Sequence, residues 1–136
     1  MIYRVIDIDG TLAQDDGFSV YHSVLAFINS LDLTENRLFF LTARWEADYD
    51  LTYRWLNQVL GHSSFELVCR PAFHPFSIAS YKRTVIDSIW TKKKPTELHF
   101  YDDSLENLGN IKRYRRGSVR VGIYLYQASE GNLRPF

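Results

Sequence analysis

The stretch Tyr3-Arg4-Val5-Ile6-Asp7-Ile8-Asp9-Gly10-Thr11 decides how the rest of the chain is read. Its apolar, β-branched start reads as a buried strand over Tyr3–Ile8, and Asp9-Gly10 turns the chain at its end. Two carboxylates one residue apart at a strand's end can face one cavity. Gly10 permits the tight turn, and Thr11 can hydrogen-bond within it. Taken alone, Asp-Gly is also a common turn with self-bonding aspartates, so the remaining elements must decide between the two readings.

Outward from that stretch the periodicity alternates. Val20, Val24, Leu25, Phe27, Ile28 and Leu31 lie at helical spacings, and Arg37–Leu41 is a second apolar strand. A helix is expected over Glu46–Leu60, with Tyr49, Tyr53, Leu56 and Leu60 on one face and Gly61 as its stop. Phe65–Cys69 reads as a third strand cut off by Pro71. A loop through His74-Pro75 leads to a helix near Tyr81–Trp90, a strand over Glu97–Tyr101, a helix over Ser104–Tyr114 and a strand over Val119–Tyr126. This alternation predicts an α/β fold, a five-stranded parallel sheet with helices on both faces. Sites in such sheets lie beyond the carboxyl ends of the strands. That rule selects four places: Asp7–Thr11, Thr42–Arg44, Arg70 and Asp102-Asp103.

The chain has 136 residues, which fits a single domain over 1–136. Hydrophobic residues make up 46% and charged ones 24%, ordinary globular values that exclude wholesale disorder. The uncharged stretch from Gly17 to Leu31 is too short and too polar to span a bilayer, so no membrane association is expected. Asp7 and Asp9 interrupt the place where a signal peptide needs its apolar region. Cys69, the lone cysteine, has no partner for a disulfide, and a cytoplasmic setting is expected. His22, His62, His74 and His99 show no metal-ligand spacing. The zero formal net charge hides an asymmetry: residues 1–68 carry ten acids and four bases, residues 69–136 six acids and twelve bases. Lys92, Lys93, Lys94, Arg113, Arg115 and Arg116 are candidates to follow the phosphates of a nucleic-acid strand, against the plainer reading of a solvated helix face.

Asp7-Ile8-Asp9-Gly10-Thr11, then Thr42 in Leu41-Thr42-Ala43-Arg44, then Lys82 opening a helix, then Asp102-Asp103 resembles, in order and placement, the haloacid dehalogenase superfamily of aspartate-nucleophile phosphotransferases. The resemblance runs from Asp7 to Asn107. Receiver domains of response regulators use similar residues, but their acidic pair comes first. The resemblance implies a Rossmann-like fold and a magnesium-dependent phosphomonoesterase. Asp7 would attack phosphorus to form an aspartyl-phosphate, and Asp9 would protonate the leaving oxygen and then deprotonate the attacking water. Thr42 and the backbone N–H groups near Ala43 would hold phosphoryl oxygens, and Lys82, rather than the adjacent Arg83, would screen the developing charge. Magnesium would sit among Asp7, Asp9, Asp102 and Asp103. On the family pattern Asp103 is the direct ligand and Asp102 stands beside it, acting through water or Lys82. Helix N-capping is the plainer role for this pair. Asn107 stands where many relatives have a second acid.

Chain length between these motifs leaves no room for a cap domain, so an open site is expected. Leu41-Thr42-Ala43-Arg44-Trp45-Glu46, Thr52-Tyr53-Arg54-Trp55-Leu56, Cys69-Arg70-Pro71 and Tyr101-Asp102-Asp103 further resemble the phosphatase domain of phage-type polynucleotide kinase/3′-phosphatases. Ser104 departs from that pattern, where an Arg is common. This second resemblance implies a nucleic-acid 3′-phosphate end as substrate, with Gly10, Ala43, Arg44 and Arg70 contacting it. Arg44 has a second reading, an ion pair with Glu46 or Asp48. No Gly-x-x-x-x-Gly-Lys-Ser/Thr loop occurs, so no kinase activity is expected of this chain, and a separate kinase or ligase is a candidate partner. The alternative substrates are nucleotides or another small phosphate ester. A third reading is a nucleic-acid-end binding module without catalysis.

Overall fold

A computed structural model describes residues 1–115 and 122–136 and places β1 (Ile2–Ile6) in the middle of a sheet. β1 pairs in parallel with both β2 (Asn36–Trp45) and β4 (Glu97–Asp102). β3 (Glu66–Arg70) extends the sheet beyond β2, and β5 (Ile123–Ser129) extends it beyond β4, both in parallel. The order is β3-β2-β1-β4-β5-β6, with β6 (Asn132–Pro135) antiparallel to β5. The winding reverses between β1 and β4, which makes their carboxyl ends the topological switch point where such folds open a crevice.

Alternating side chains along the central strands feed two cores. Ile6, Leu38, Phe40 and Tyr101 point to one face, where they pack with Val24 and Ile28 of α1 (His22–Asn29) and Leu56 and Leu60 of α2 (Tyr49–Leu60). Val5, Phe39, Leu41, Leu98 and Phe100 point to the other. There they meet Ile86 and Ile89 of α3 (Ile78–Lys93) and Leu108 and Ile111 of α4 (Leu105–Arg115). Because both faces are covered, the strands read as near-continuous apolar runs.

The expected α/β architecture is present, with one strand more than the five expected. β6 returns through Glu130-Gly131, both at positive φ (48° and 84°), the backbone a two-residue hairpin requires. Its signal was faint: Leu133 is the one strongly apolar residue in Asn-Leu-Arg-Pro. β2 runs four residues past the expected Leu41. The last β1–β2 pair is Ile6↔Phe40, so Thr42, Ala43 and Arg44 overhang the switch point. α3 begins three residues before the expected Tyr81, because the Ser77 side chain accepts the Ser80 N–H and caps it. The expected last strand is shifted toward Ser129, and its residues 119–121 lie outside the described residues. Among the described residues, no helix is long and apolar enough to cross a membrane.

Candidate active site

Asp7 immediately follows β1, and Asp102 ends β4. The register Ile6↔Tyr101 sets them side by side, fixed by the Asp7 N–H donating to the Tyr101 carbonyl at 2.9 Å. Lys82, in the second turn of α3, reaches between them. Its Nζ donates to Asp7 Oδ1 at 2.6 Å and to Asp102 Oδ2 at 2.7 Å. Its residue-level exposure is 2%, which singles it out from a solvated surface lysine. Thr11 Oγ1 donates to Asp7 Oδ2 at 3.1 Å, so the loop after β1 also orients the carboxylate.

The two adjacent acids divide into different environments. Asp102 has no exposed surface, and besides Lys82 it accepts from the Ser104 N–H (2.8 Å) and Asn107 Nδ2 (3.2 Å). Its acceptor capacity is largely used in holding the start of α4 and the Lys82 ammonium. Asp103 is exposed and stands over the loop, its carboxylate against Gly10. At Gly10 φ is 84°, and a Cβ there would fall 2.1 Å from Asp103 Oδ2. Glycine is therefore required twice over, for backbone conformation and for the space Asp103 occupies.

Asp7, Asp102 and Asp103 each offer a carboxylate oxygen, all within 4.8 Å of one another. Three carboxylates around the single Lys82 ammonium leave a local formal charge of −2. Burial pushes the Asp7 carboxyl well above its ordinary pKa, against the lowering effect of Lys82, with Asp102 adding to the rise. Asp103 is raised as well, by the desolvation of its side facing the other acids and by the neighbouring Asp102. Burial works against the Lys82 charge, but Asp7 and Asp102 outweigh it and raise its pKa. A hard divalent cation suits this donor set: oxygen ligands only, more carboxylates than nearby cations and an open side at Asp103.

Asp9 departs from expectation. Its carboxylate lies outside the three-acid group and is held by Arg44, which donates Nη2–H to Oδ1 (2.7 Å) and Nε–H to Oδ2 (2.9 Å). Arg44 thus pairs with Asp9 rather than with Glu46 or Asp48. It also ties down the flap after β1 through the Gly17 carbonyl at 2.6 Å. Both Asp9 carboxylate oxygens thus accept from Arg44, which leaves Asp7, Asp102 and Asp103 as the acids gathered at one place.

A cleft of about 380 Å³ opens over the acids, lined by Asp7, Asp9, Ala43, Lys82, Asp103 and Asn107 among others. Ala43 lines it. Thr42 is buried beneath, its Oγ1 accepting the Arg44 N–H at 3.1 Å and its carbonyl accepting Tyr81 Oη–H at 3.1 Å. Two expected substrate contacts are corrected. The Gly10 N–H is spent on the Ala13 carbonyl (2.8 Å), so Gly10 shapes the loop instead of binding. Arg70 donates to the Phe76 carbonyl (3.0 Å) and stacks on Trp45, outside the cleft lining. Cys69 is buried packing, its thiol pushed up to about 11 by burial. Sequence reasoning gave no role to Ser77 or Glu106, which line the cleft.

The described basic candidates lie elsewhere. α3 and α4 both begin at the cleft and run away from it. Lys92 and Lys93 close the 16 residues of α3, so they sit about 20 Å from its start. Lys93 lines a different hollow with Tyr3 and Asn36, at the amino ends of the strands. Arg113 lies in the last turns of α4, and Arg116 falls outside the described residues, as does the side chain of Arg115. Among the described residues, Lys92, Lys93 and Arg113 form no track leading out of the cleft. A comparison with protein-family models found no match, and no curated protein matches the chain.

Proposed function

We propose that this chain is a magnesium-dependent phosphomonoesterase that works through an aspartyl-phosphate on Asp7 and acts on 3′-phosphorylated nucleic-acid ends. The observation that carries this reading is the buried Asp7 carboxylate, oriented by Thr11 and sharing the Lys82 ammonium with Asp102, next to the open Asp103. An anionic nucleophile meets an anionic phosphate ester only where positive charge offsets both. Lys82 supplies one such charge. Magnesium, held by Asp7 and Asp103 with Asp102 behind them, would supply the rest when bound.

In the first step an Asp7 oxygen forms the bond to phosphorus while the bond to the leaving oxygen breaks, and protonated Asp9 gives that oxygen its proton. In the second, Asp9 takes a proton from water as the water oxygen attacks phosphorus. The aspartyl–phosphorus bond breaks and inorganic phosphate leaves. Asp9 does this after letting go of Arg44, whose guanidinium is then available to a phosphoryl oxygen. Asp102 and Asn107 are positioning residues: they hold Lys82 and the start of α4.

The placement of Lys92 and Lys93 at the far end of α3 favours recognition confined to the terminal nucleotide, which keeps a nucleotide phosphatase as the second reading. Phosphate release from a 3′-phosphorylated oligonucleotide tests the proposal. Release that needs magnesium and is lost in Asp7→Asn is expected. Equal release by Asp7→Asn overturns the nucleophile, and no release from any phosphate ester turns the protein into a binding module.

A further inference from the structure

Beside the cleft lies a groove of about 460 Å³ that shares Asp9 with it. Its walls are Phe18, Leu51 and Trp55, and Arg44 lies against the Trp55 ring, 5.6 Å from its centroid. Phe18 is 66% exposed and Leu51 65%, so two apolar side chains stand in water at the edge of a polar site. They are not there through looseness. Asp16 accepts the N–H groups of Phe18 (2.9 Å) and Ser19 (2.7 Å) and the Ser19 hydroxyl, which makes the loop a fixed turn. Trp55 Nε1 donates to the Phe18 carbonyl at 3.0 Å, and Arg44 holds the Gly17 carbonyl. The turn, α2 and the overhang of β2 thus hold the groove in shape before anything binds, and little ordering cost remains.

Its electrostatics narrow what fits. Asp9 and Asp48 are its acids, and Arg44, its one base, is held by Asp9 at rest and, once released, is taken up by the reacting phosphoryl group. A second phosphate or a carboxylate on the substrate finds no free cation there. A neutral, flat group with apolar faces and polar edges finds Phe18 and Trp55 for its faces and Asp48 for an edge. Position narrows it further. With phosphorus at Asp7 and the leaving oxygen at Asp9, the leaving group is directed toward this groove. A nucleoside linked through its 3′ oxygen has its sugar at Asp9 and its base one sugar-width further on.

We infer that the Phe18–Leu51–Trp55 groove is the subsite for the base of the terminal nucleotide, and that it makes the chain prefer nucleoside phosphates over sugar or alkyl phosphates. This rests on the assignment of Asp7 and Asp9 above. Stacking accepts any base, because every base has a π-face, so the preference is for a nucleoside and not for a sequence.

The test compares kcat/KM for adenosine 3′-phosphate with that for glycerol 2-phosphate in the wild type, Phe18→Ala, Leu51→Ala and, as a control, Phe73→Ala. Phe73 is 96% exposed and lines neither the cleft nor the groove. The ratio of the two efficiencies is expected to fall about tenfold in Phe18→Ala, the size of one lost base–aromatic stack, and to stay put in Phe73→Ala. Calorimetric binding of adenosine 3′-phosphate to Asp7→Asn, with and without Phe18→Ala, reads the groove independently of turnover, and a weaker Kd in the double variant is expected. Hydrolysis of both esters with an unchanged ratio in Phe18→Ala and Leu51→Ala overturns the subsite and leaves the phosphatase standing. If neither ester is hydrolysed, the phosphatase reading falls and binding decides the groove: a Kd indifferent to Phe18→Ala overturns it.

Discussion

Replacing Lys82 with methionine keeps roughly the length of the side chain and removes its charge. In the wild type the ammonium touches two carboxylates, at 2.6 and 2.7 Å, in a place with almost no solvent. Breaking a buried pair by removing one partner costs about 3–5 kcal/mol, because the other charge stays buried. Here the cost is moderated, since Asp7, already raised by burial, is able to take up a proton. About 3 kcal/mol corresponds to a drop of about 10 °C in Tm for a domain of this size. The sign of the pH dependence follows from the directions of the shifts. Asp7 and Asp103 have raised pKa values, so their contribution to stability is full below the ordinary carboxylate range and is lost as pH rises through the raised values. Without Lys82 the Asp7 value rises further, so Lys82→Met loses more at about pH 8 than at about pH 5. Magnesium, by neutralising the same carboxylates, narrows the gap at neutral pH. Thermal unfolding followed by circular dichroism, at both pH values with and without magnesium, measures all of this. A Tm equal to wild type at about pH 8 in metal-free buffer would refute the claim that Lys82 neutralises the two acids.

Three further outcomes follow from the geometry. Gly10→Ala places a Cβ on the Asp103 carboxylate and forces φ of 84° on a residue with a side chain. Stability should fall by about 1–2 kcal/mol, with a weaker magnesium activation constant, and an unchanged magnesium dependence would show that Asp103 does not face the metal. Asp103→Asn should regain part of its lost activity at high magnesium, whereas Asp102→Asn should not, because its loss frees Lys82 and the start of α4; a magnesium titration of both variants separates them. Asp9→Asn should slow the first step less on p-nitrophenyl phosphate than on an alkyl phosphate, since a good leaving group needs no proton. Equal slowing on both esters would remove Asp9 from the acid role.

The centre of the site was legible because strand ends are easy to locate. Tyr3–Ile8 and Glu97–Tyr101 read as strands, so Asp7 and Asp102-Asp103 fall near their carboxyl ends; β1 stops at Ile6, two residues before the expected Ile8, which sets Asp7 just past it, and the Lys82 reach follows from a helix that begins at the same edge. Partner choice was not legible. Arg44 had Glu46 and Asp48 as near neighbours in sequence, yet Asp9, 35 positions earlier, faces it across the sheet. Sequence separation carries no information on that choice, whereas the overhang of β2 past β1 settles it. The placement of the Lys92–Lys94 stretch was not legible for a different reason. Lys92–Lys94 follow Lys82 closely in the chain, but a helix leaving the site carries its last turn to the opposite end of the molecule. The Phe18–Leu51–Trp55 groove was likewise hidden, since exposed apolar residues on a turn and a helix read as scattered surface until the turn is seen to fold onto α2.

The claim on which everything else depends is that Asp7 becomes phosphorylated during turnover. The stereochemical course at phosphorus, followed with a chiral phosphate ester, tests it most directly. Each in-line displacement inverts phosphorus, so transfer to Asp7 followed by transfer to water predicts net retention. Net inversion would mean a single direct attack by water, and Asp7 would then be a metal-holding carboxylate and no nucleophile.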